Sequence, residues 1–236
     1  MTTIGNNLQG VRDGITTACA AAGRPANAVS LLAVSKTFGP DAVREAHAAG
    51  QTAFGENYIQ EALDKIAALR DLPLVWHCIG PVQSNKSRLV AEHFDWLHTV
   101  GSQRLAQRLS DQRPDALAPL QVCVQVNIDG GATKAGVLPE EALALCEQIA
   151  ALPRLQLRGL MTIPEPYDDP AEQLAVHQRS RALFDRLAQA HLGAPGWSRF
   201  DTLSMGMTAD MAAAIAAGST MVRVGSAIFG GRAPVR

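Results

Sequence analysis

Three observations predict an α/β fold closed into a single eight-stranded (β/α)8 barrel. Eight short apolar runs alternate with segments of helical period along the chain, and that alternation predicts parallel strands joined by right-handed crossovers. The length, 236 residues, suits one barrel domain spanning the whole chain. The first run, Val29 to Thr37, is continuously apolar until it breaks at Lys36, as a strand buried on both faces would. An open doubly wound sheet is the alternative, but Ser35-Lys-Thr-Phe-Gly-Pro is not the glycine-rich turn that fold places after its first strand.

The elements follow in order. Ile4 to Ala22 reads as a covering helix stopped by Gly23 and Pro25. After the Lys36 strand, Gly39-Pro40-Asp41 opens a helix to Ala49 that Gly50 closes. Thr52 to Gly55 is a short strand, Glu56 to Arg70 a helix, and Leu74 to Ile79 a third strand broken by Gly80-Pro81. Ser84 to Glu92 is a helix with Ser84 as its cap, Trp96 to Val100 a strand, and Ser102 opens a helix to Ser110. Leu120 to Asn127 is the clearest strand, rich in β-branched residues. A glycine-rich loop, 129–136, precedes a helix from Pro139 to Leu152; Leu155 to Met161 is the sixth strand and Pro170 to His191 a long helix. The strand Asp201 to Ser204, the helix Thr208 to Ala217 and the strand Met221 to Val224 complete the series.

Composition narrows the function. Apolar residues make up 47% and charged residues 18%, which excludes a disordered chain. A formal charge of −1 provides no footprint for nucleic acid or an anionic membrane. The N-terminus lacks the basic start and apolar core of a signal peptide, and Met211 to Val224 is too short to span a bilayer. Cys19, Cys78, Cys123 and Cys146 form no C-x-x-C pair, which predicts reduced, buried thiols in a cytoplasmic protein without disulfide or metal.

In a barrel, chemistry gathers at the carboxyl ends of the strands, with phosphate held by the loops after strands seven and eight. Lys36 ends the first strand, where partial desolvation would let its amine lose a proton and attack an aldehyde. Ser204-Met-Gly206-Met207-Thr208 follows the seventh strand and Arg223-Val-Gly225-Ser226 the eighth. Each offers a glycine and a hydroxyl to one phosphate, with helix-start N–H groups expected at Thr208. Arg223 is either paired structurally with a carboxylate or aimed at a ligand. Lysine, phosphate cradle and cation together suit pyridoxal 5′-phosphate (PLP), with aldehyde on Lys36, phosphate on the loops and ring nitrogen at Arg223. Asn57, His77 and Asn127 lie near strand ends, where they would touch the ligand or close backbone hydrogen bonds; for His77 a satisfied core role competes. Met161 and Met207 are expected to pack, against the cofactor ring if they reach it. Lys86 and Lys134 read as surface lysines.

These residues stand in linked motifs: Ala-Val-Ser-Lys36, Phe-Gly-Glu-Asn57-Tyr, His77-Cys-Ile-Gly-Pro-Val-Gln-Ser-Asn-Lys86, Arg158-Gly-Leu-Met161, Leu-Ser204-Met-Gly-Met, and Gly-Ser-Thr-Met-Val-Arg223-Val-Gly-Ser226-Ala-Ile-Phe-Gly. In them the chain resembles the pyridoxal phosphate homeostasis protein family, PLP-binding barrels related to the N-terminal domain of alanine racemase, from Leu31 to Gly230. The resemblance implies that Lys36 carries PLP as a Schiff base, that Ser204, Gly225 and Ser226 hold the phosphate, and that Arg223 faces the pyridine nitrogen. It also implies a carrier or regulator of vitamin B6 and amino-acid pools, with apo PLP-dependent enzymes as recipients. Two departures stand out: Phe38 where a second lysine is frequent, and Gly-Gly-Ala before Lys134 where polar residues are usual.

The competing reading is an amino-acid racemase-like PLP enzyme with weak or lost activity. Racemization on both faces needs a second base, supplied in the racemases by a tyrosine of a separate β-domain, whereas this chain ends at Arg236 and has only Tyr58 and Tyr167. A guanidinium also donates a hydrogen bond without protonating the pyridine nitrogen, which leaves a weak electron sink. A monomer that holds PLP without turnover is therefore expected.

Overall fold

The strand segments form eight parallel strands that hydrogen-bond in sequence order, and the eighth returns to the first to close the barrel. They are β1 (Ser30–Val34), β2 (Ala53–Glu56), β3 (Val75–Cys78), β4 (Trp96–Val100), β5 (Leu120–Val126), β6 (Leu155–Thr162), β7 (Thr202–Ser204) and β8 (Met221–Val224). The computed structural model describes residues 2–131 and 133–231; Met1, Ala132 of the Gly-Gly-Ala loop, and residues 232–236 lie outside the described residues.

The alternation of side chains along a strand divides each strand between two environments. On β1, Ala33 joins the large core between sheet and helices, while Leu32 and Val34 pack with Ile79 and Met221 in a second cluster. Closure sets Leu32 beside Arg223 in the register of β1 against β8. Met221 and Arg223 therefore share one face of β8, and Val222 and Val224 take the other, in the large core.

The helices are α1 (Thr3–Ala21), α2 (Pro40–Ala48), α3 (Ile59–Ala68), α4 (Ser87–His93), α5 (Gln103–Gln112), α6 (Ala142–Ala150), α7 (Pro170–Ala190), α8 (Met211–Ala216) and α9 (Ser226–Phe229), with one 3₁₀ turn at Ser84–Lys86. Four α-helices begin later than their sequence predicts, α4 because the 3₁₀ turn takes Ser84–Lys86. Glu56 is paired with Cys78 in the β2–β3 ladder, so α3 starts only after Tyr58. Residues 139–141 form a turn before α6. Residues 208–210 likewise turn before α8, which corrects the expected helix start at Thr208. The four-residue α9 after Gly225 is too short to leave a periodic signature in the sequence.

All four cysteines are buried free thiols, and burial pushes Cys78 and Cys123 up to about 12. Among the described residues no helix is long and apolar enough to cross a membrane, and no cluster of histidine, cysteine and carboxylate side chains has the makings of a metal site.

Candidate functional site

A cavity of about 530 Å³ opens at the carboxyl ends of β1, β2, β7 and β8. Its polar lining includes Lys36, Thr37, Asn57, Thr208, Arg223 and Ser226, and its apolar lining Val34, Phe38, Ile79, Ile163 and Met207. Of the site residues expected from sequence, Lys36, Asn57, Met207, Arg223, Gly225 and Ser226 are thus brought to one wall or another of a single space.

Lys36 lies two residues beyond the end of β1, after Ser35, whose N–H donates to the Gly55 carbonyl at 3.0 Å and prolongs the strand pairing. Asn57 sits at the end of β2 because residue 80 is glycine: a Cβ there would run into the Asn57 carbonyl. The Asn57 Oδ1 is a buried acceptor without a protein partner, a group that is costly to leave unsatisfied.

Arg223 is the unusual group. It is a buried cation whose Nη1 donates to the Ser204 carbonyl (2.7 Å) and hydroxyl (2.8 Å) and whose Nη2 donates to the Thr162 carbonyl (2.9 Å). None of these partners is a carboxylate, so the structural ion pair considered from sequence does not form; Asp210 acts on it only through space. Burial draws the guanidinium down to about 10, which still leaves it charged at neutral pH. Three of five N–H donors are used by the protein, and two remain in a residue that lines the cavity.

Beneath Arg223 the hydrogen bonds continue inward. Ser204 Oγ lies 3.0 Å from His98 Nδ1, and His98 Nε2 lies 2.9 Å from His77 Nδ1. Because arginine can only donate, the Ser204 hydroxyl hydrogen is assigned to His98, and His98 then donates to His77. Burial takes His77 down to about 3, with Arg158 adding repulsion, and holds His98 well below the usual range.

Four residues weighed as ligand contacts from sequence, Ser204, His77, Met161 and Gly206, are not among those that line the cavity, and for His77 and Met161 the packing role weighed beside it stands. Ser204 is fully buried and serves Arg223 and His98, so its hydroxyl is not at the cavity wall where a phosphate would sit. His77 is a core residue, stacked on Trp96 with ring centroids 5.0 Å apart. Met161 is fully buried in β6 and does not line the cavity. Gly206 shapes the turn instead of touching the cavity: its φ is +93°, a Cβ would strike that of Ala214, and its carbonyl accepts from Arg223 N–H at 3.0 Å.

Asn127 closes backbone, its Nδ2 donating to the Gly131 carbonyl at 2.9 Å. Lys134 is no plain surface lysine: it pairs with Asp129 (3.1 Å) and Glu165 (3.3 Å) and donates to the Ile163 carbonyl. Ile79 and Ile163 line the cavity without having stood out in the sequence, and Phe38 stood out only as a departure. Thr208, part of the motif expected after the seventh strand, does line the cavity. Ile163 was hidden because β6 runs to Thr162, one residue past its predicted end.

A parallel barrel with an amine at the end of β1, a buried cation on β8 and hydroxyls after β7 and β8 can condense with an aldehyde at one end and take an anionic group at the other. The chain belongs to the alanine racemase N-terminal domain family, which matches residues 7–233, and within it to the pyridoxal phosphate homeostasis proteins. The protein of that name from Pseudomonas aeruginosa is 55% identical over 232 residues, covering 98% of this chain and 97% of its own. That of Escherichia coli K12 is 50% identical over 235 residues, 98% of each chain. Among solved structures, PipY of Synechococcus elongatus PCC7942 without PLP superposes with a TM-score of 0.84 at 40% identity, over 96% of this chain and 100% of that one. PipY with PLP bound superposes at 0.78 and 41% identity, over 92% and 100%.

Proposed function

We propose that this protein binds PLP as a single barrel domain and serves intracellular vitamin B6 and amino-acid homeostasis, holding the cofactor on Lys36 as a Schiff base without turnover. The observation that carries the reading is Arg223, a buried cation with no carboxylate partner and two unused donors in the same cavity as Lys36. The names of the relatives and the PLP-bound PipY structure support it. Lys36 would take the aldehyde, Arg223 the ring nitrogen, and Thr208, Gly225 and Ser226 the phosphate, with Met207 and Phe38 against the ring. When bound, PLP supplies an electrophilic carbon and a conjugated ring that absorbs visible light.

Holding is favoured over turnover because Arg223 stays charged and donates to the ring nitrogen without transferring a proton. Tyr58 is exposed and Tyr167 lines an adjoining cavity, and neither is among the residues that line the cavity with Lys36, which supports the reading without a second base. The protein would act in the cytoplasm as a monomer, passing PLP to apo enzymes. The test is borohydride reduction of the purified yellow protein followed by peptide mapping. The label should fall on Lys36 and the visible band should vanish in Lys36→Ala; a label mainly on Lys86 or Lys134 would overturn the assignment.

A further inference from the structure

One buried lysine holds the turn that carries Lys36 from behind. Lys65, on α3, is 3% exposed, and its ammonium meets three oxygens: the Ser35 carbonyl at 2.8 Å, Glu56 Oε1 at 2.7 Å and Glu61 Oε1 at 2.7 Å. That is the full complement of an ammonium's donors. The same carboxylate oxygens reach the residues on either side of Lys36. Glu56 Oε1 accepts from Ser35 Oγ at 2.6 Å, and Glu61 Oε1 accepts from Thr37 N–H at 2.6 Å. Phe38 N–H closes the turn on the Ser35 carbonyl at 3.1 Å.

Thr37 has φ +69°, the one non-glycine positive value among the described residues. A β-branched residue is strained there and persists only where its surroundings impose it. A buried ion pair elsewhere in the core would stabilise the fold and nothing more. Here its partners are the carbonyl before Lys36 and the amide after it, so the conformation it imposes is that of Lys36 itself.

We infer that Lys65 and Glu61 are positioning residues, whose network holds the 35–37 turn so that the Lys36 side chain enters the cavity. The inference rests on the PLP reading above. In the step it serves, the neutral Lys36 amine adds to the aldehyde carbon, a C=N bond replaces C=O, and the oxygen leaves as water with no change in oxidation state.

The experiment compares PLP with pyridoxine 5′-phosphate, which carries an alcohol in place of the aldehyde and cannot condense. Glu61→Ala removes the acceptor for Thr37 N–H at a partly exposed position; it should weaken PLP roughly tenfold and leave pyridoxine 5′-phosphate unchanged. Glu61→Gln, which keeps an acceptor oxygen, should recover most of the loss. Lys65→Met should shift PLP further in the same direction, and should it not fold, the Glu61 pair still decides. Equal losses for the two ligands, or no loss for PLP, would refute positioning. Failure of the unmodified protein to bind PLP through Lys36 would instead sink the PLP reading, and the inference with it.

Discussion

Ser226 and Ser204 looked equivalent as phosphate ligands, and the structure separates them. Ser226 lines the cavity beside Gly225, whereas Ser204 is buried under Arg223. Replacing Ser226 by alanine removes a hydroxyl from a charged ligand, worth about 1.5–3 kcal/mol, or roughly 10- to 150-fold in affinity. That loss should appear for PLP and not for dephosphorylated pyridoxal. Ser204→Ala acts differently: Arg223 Nη1 keeps the Ser204 carbonyl at 2.7 Å, but His98 Nδ1 loses its partner at 3.0 Å. Leaving that buried nitrogen unsatisfied costs about 1–3 kcal/mol of stability, and loosening Arg223 should weaken PLP and pyridoxal alike. Titration of each variant with both ligands by absorbance reads the four affinities, and urea denaturation of the apo-protein reads the stability. A Ser204→Ala variant that retains full stability and discriminates only against the phosphorylated ligand would show that the buried assignment is wrong.

The paired histidines should make stability fall in acid. His77 is held at about 3 in the fold against an ordinary value near 6.5, so the unfolded chain binds a proton that the native state does not. The contribution is complete above about pH 6.5 and is lost as pH falls from there towards 3, at about 1.4 kcal/mol per unit for His77 alone. Urea midpoints at pH 7 and pH 5 measure this, and equal stabilities would contradict a neutral buried pair. Incubation with L- or D-alanine in heavy water should show little α-proton exchange, and Arg223→Glu should raise it wherever fold and PLP occupancy survive. Steady racemization by the unmodified protein, on the order of 1 s⁻¹ or more, would restore the enzyme reading.

The barrel was legible because its signals are local. Each of the eight strands is a short run followed by glycine, proline or a helix start, and the strand–helix rhythm alone implies parallel pairing. Lys36 and Arg223 were legible for the same reason, as single cations interrupting apolar strands. What the sequence could not determine is which side of a strand end a residue faces and what stands opposite it. Ser204 and Ser226 each neighbour a glycine after a late strand, yet one lies on the inner face of β7 beneath a guanidinium and the other on the cavity wall. Lys65 reads as one more polar position on an amphipathic helix, and only the packing of α3 against the end of β1 buries it between two carboxylates and the turn at Lys36. Spacing along the chain sets the order of the strands, but burial and partnership depend on contacts between residues far apart in sequence, and those exist only once the barrel has closed.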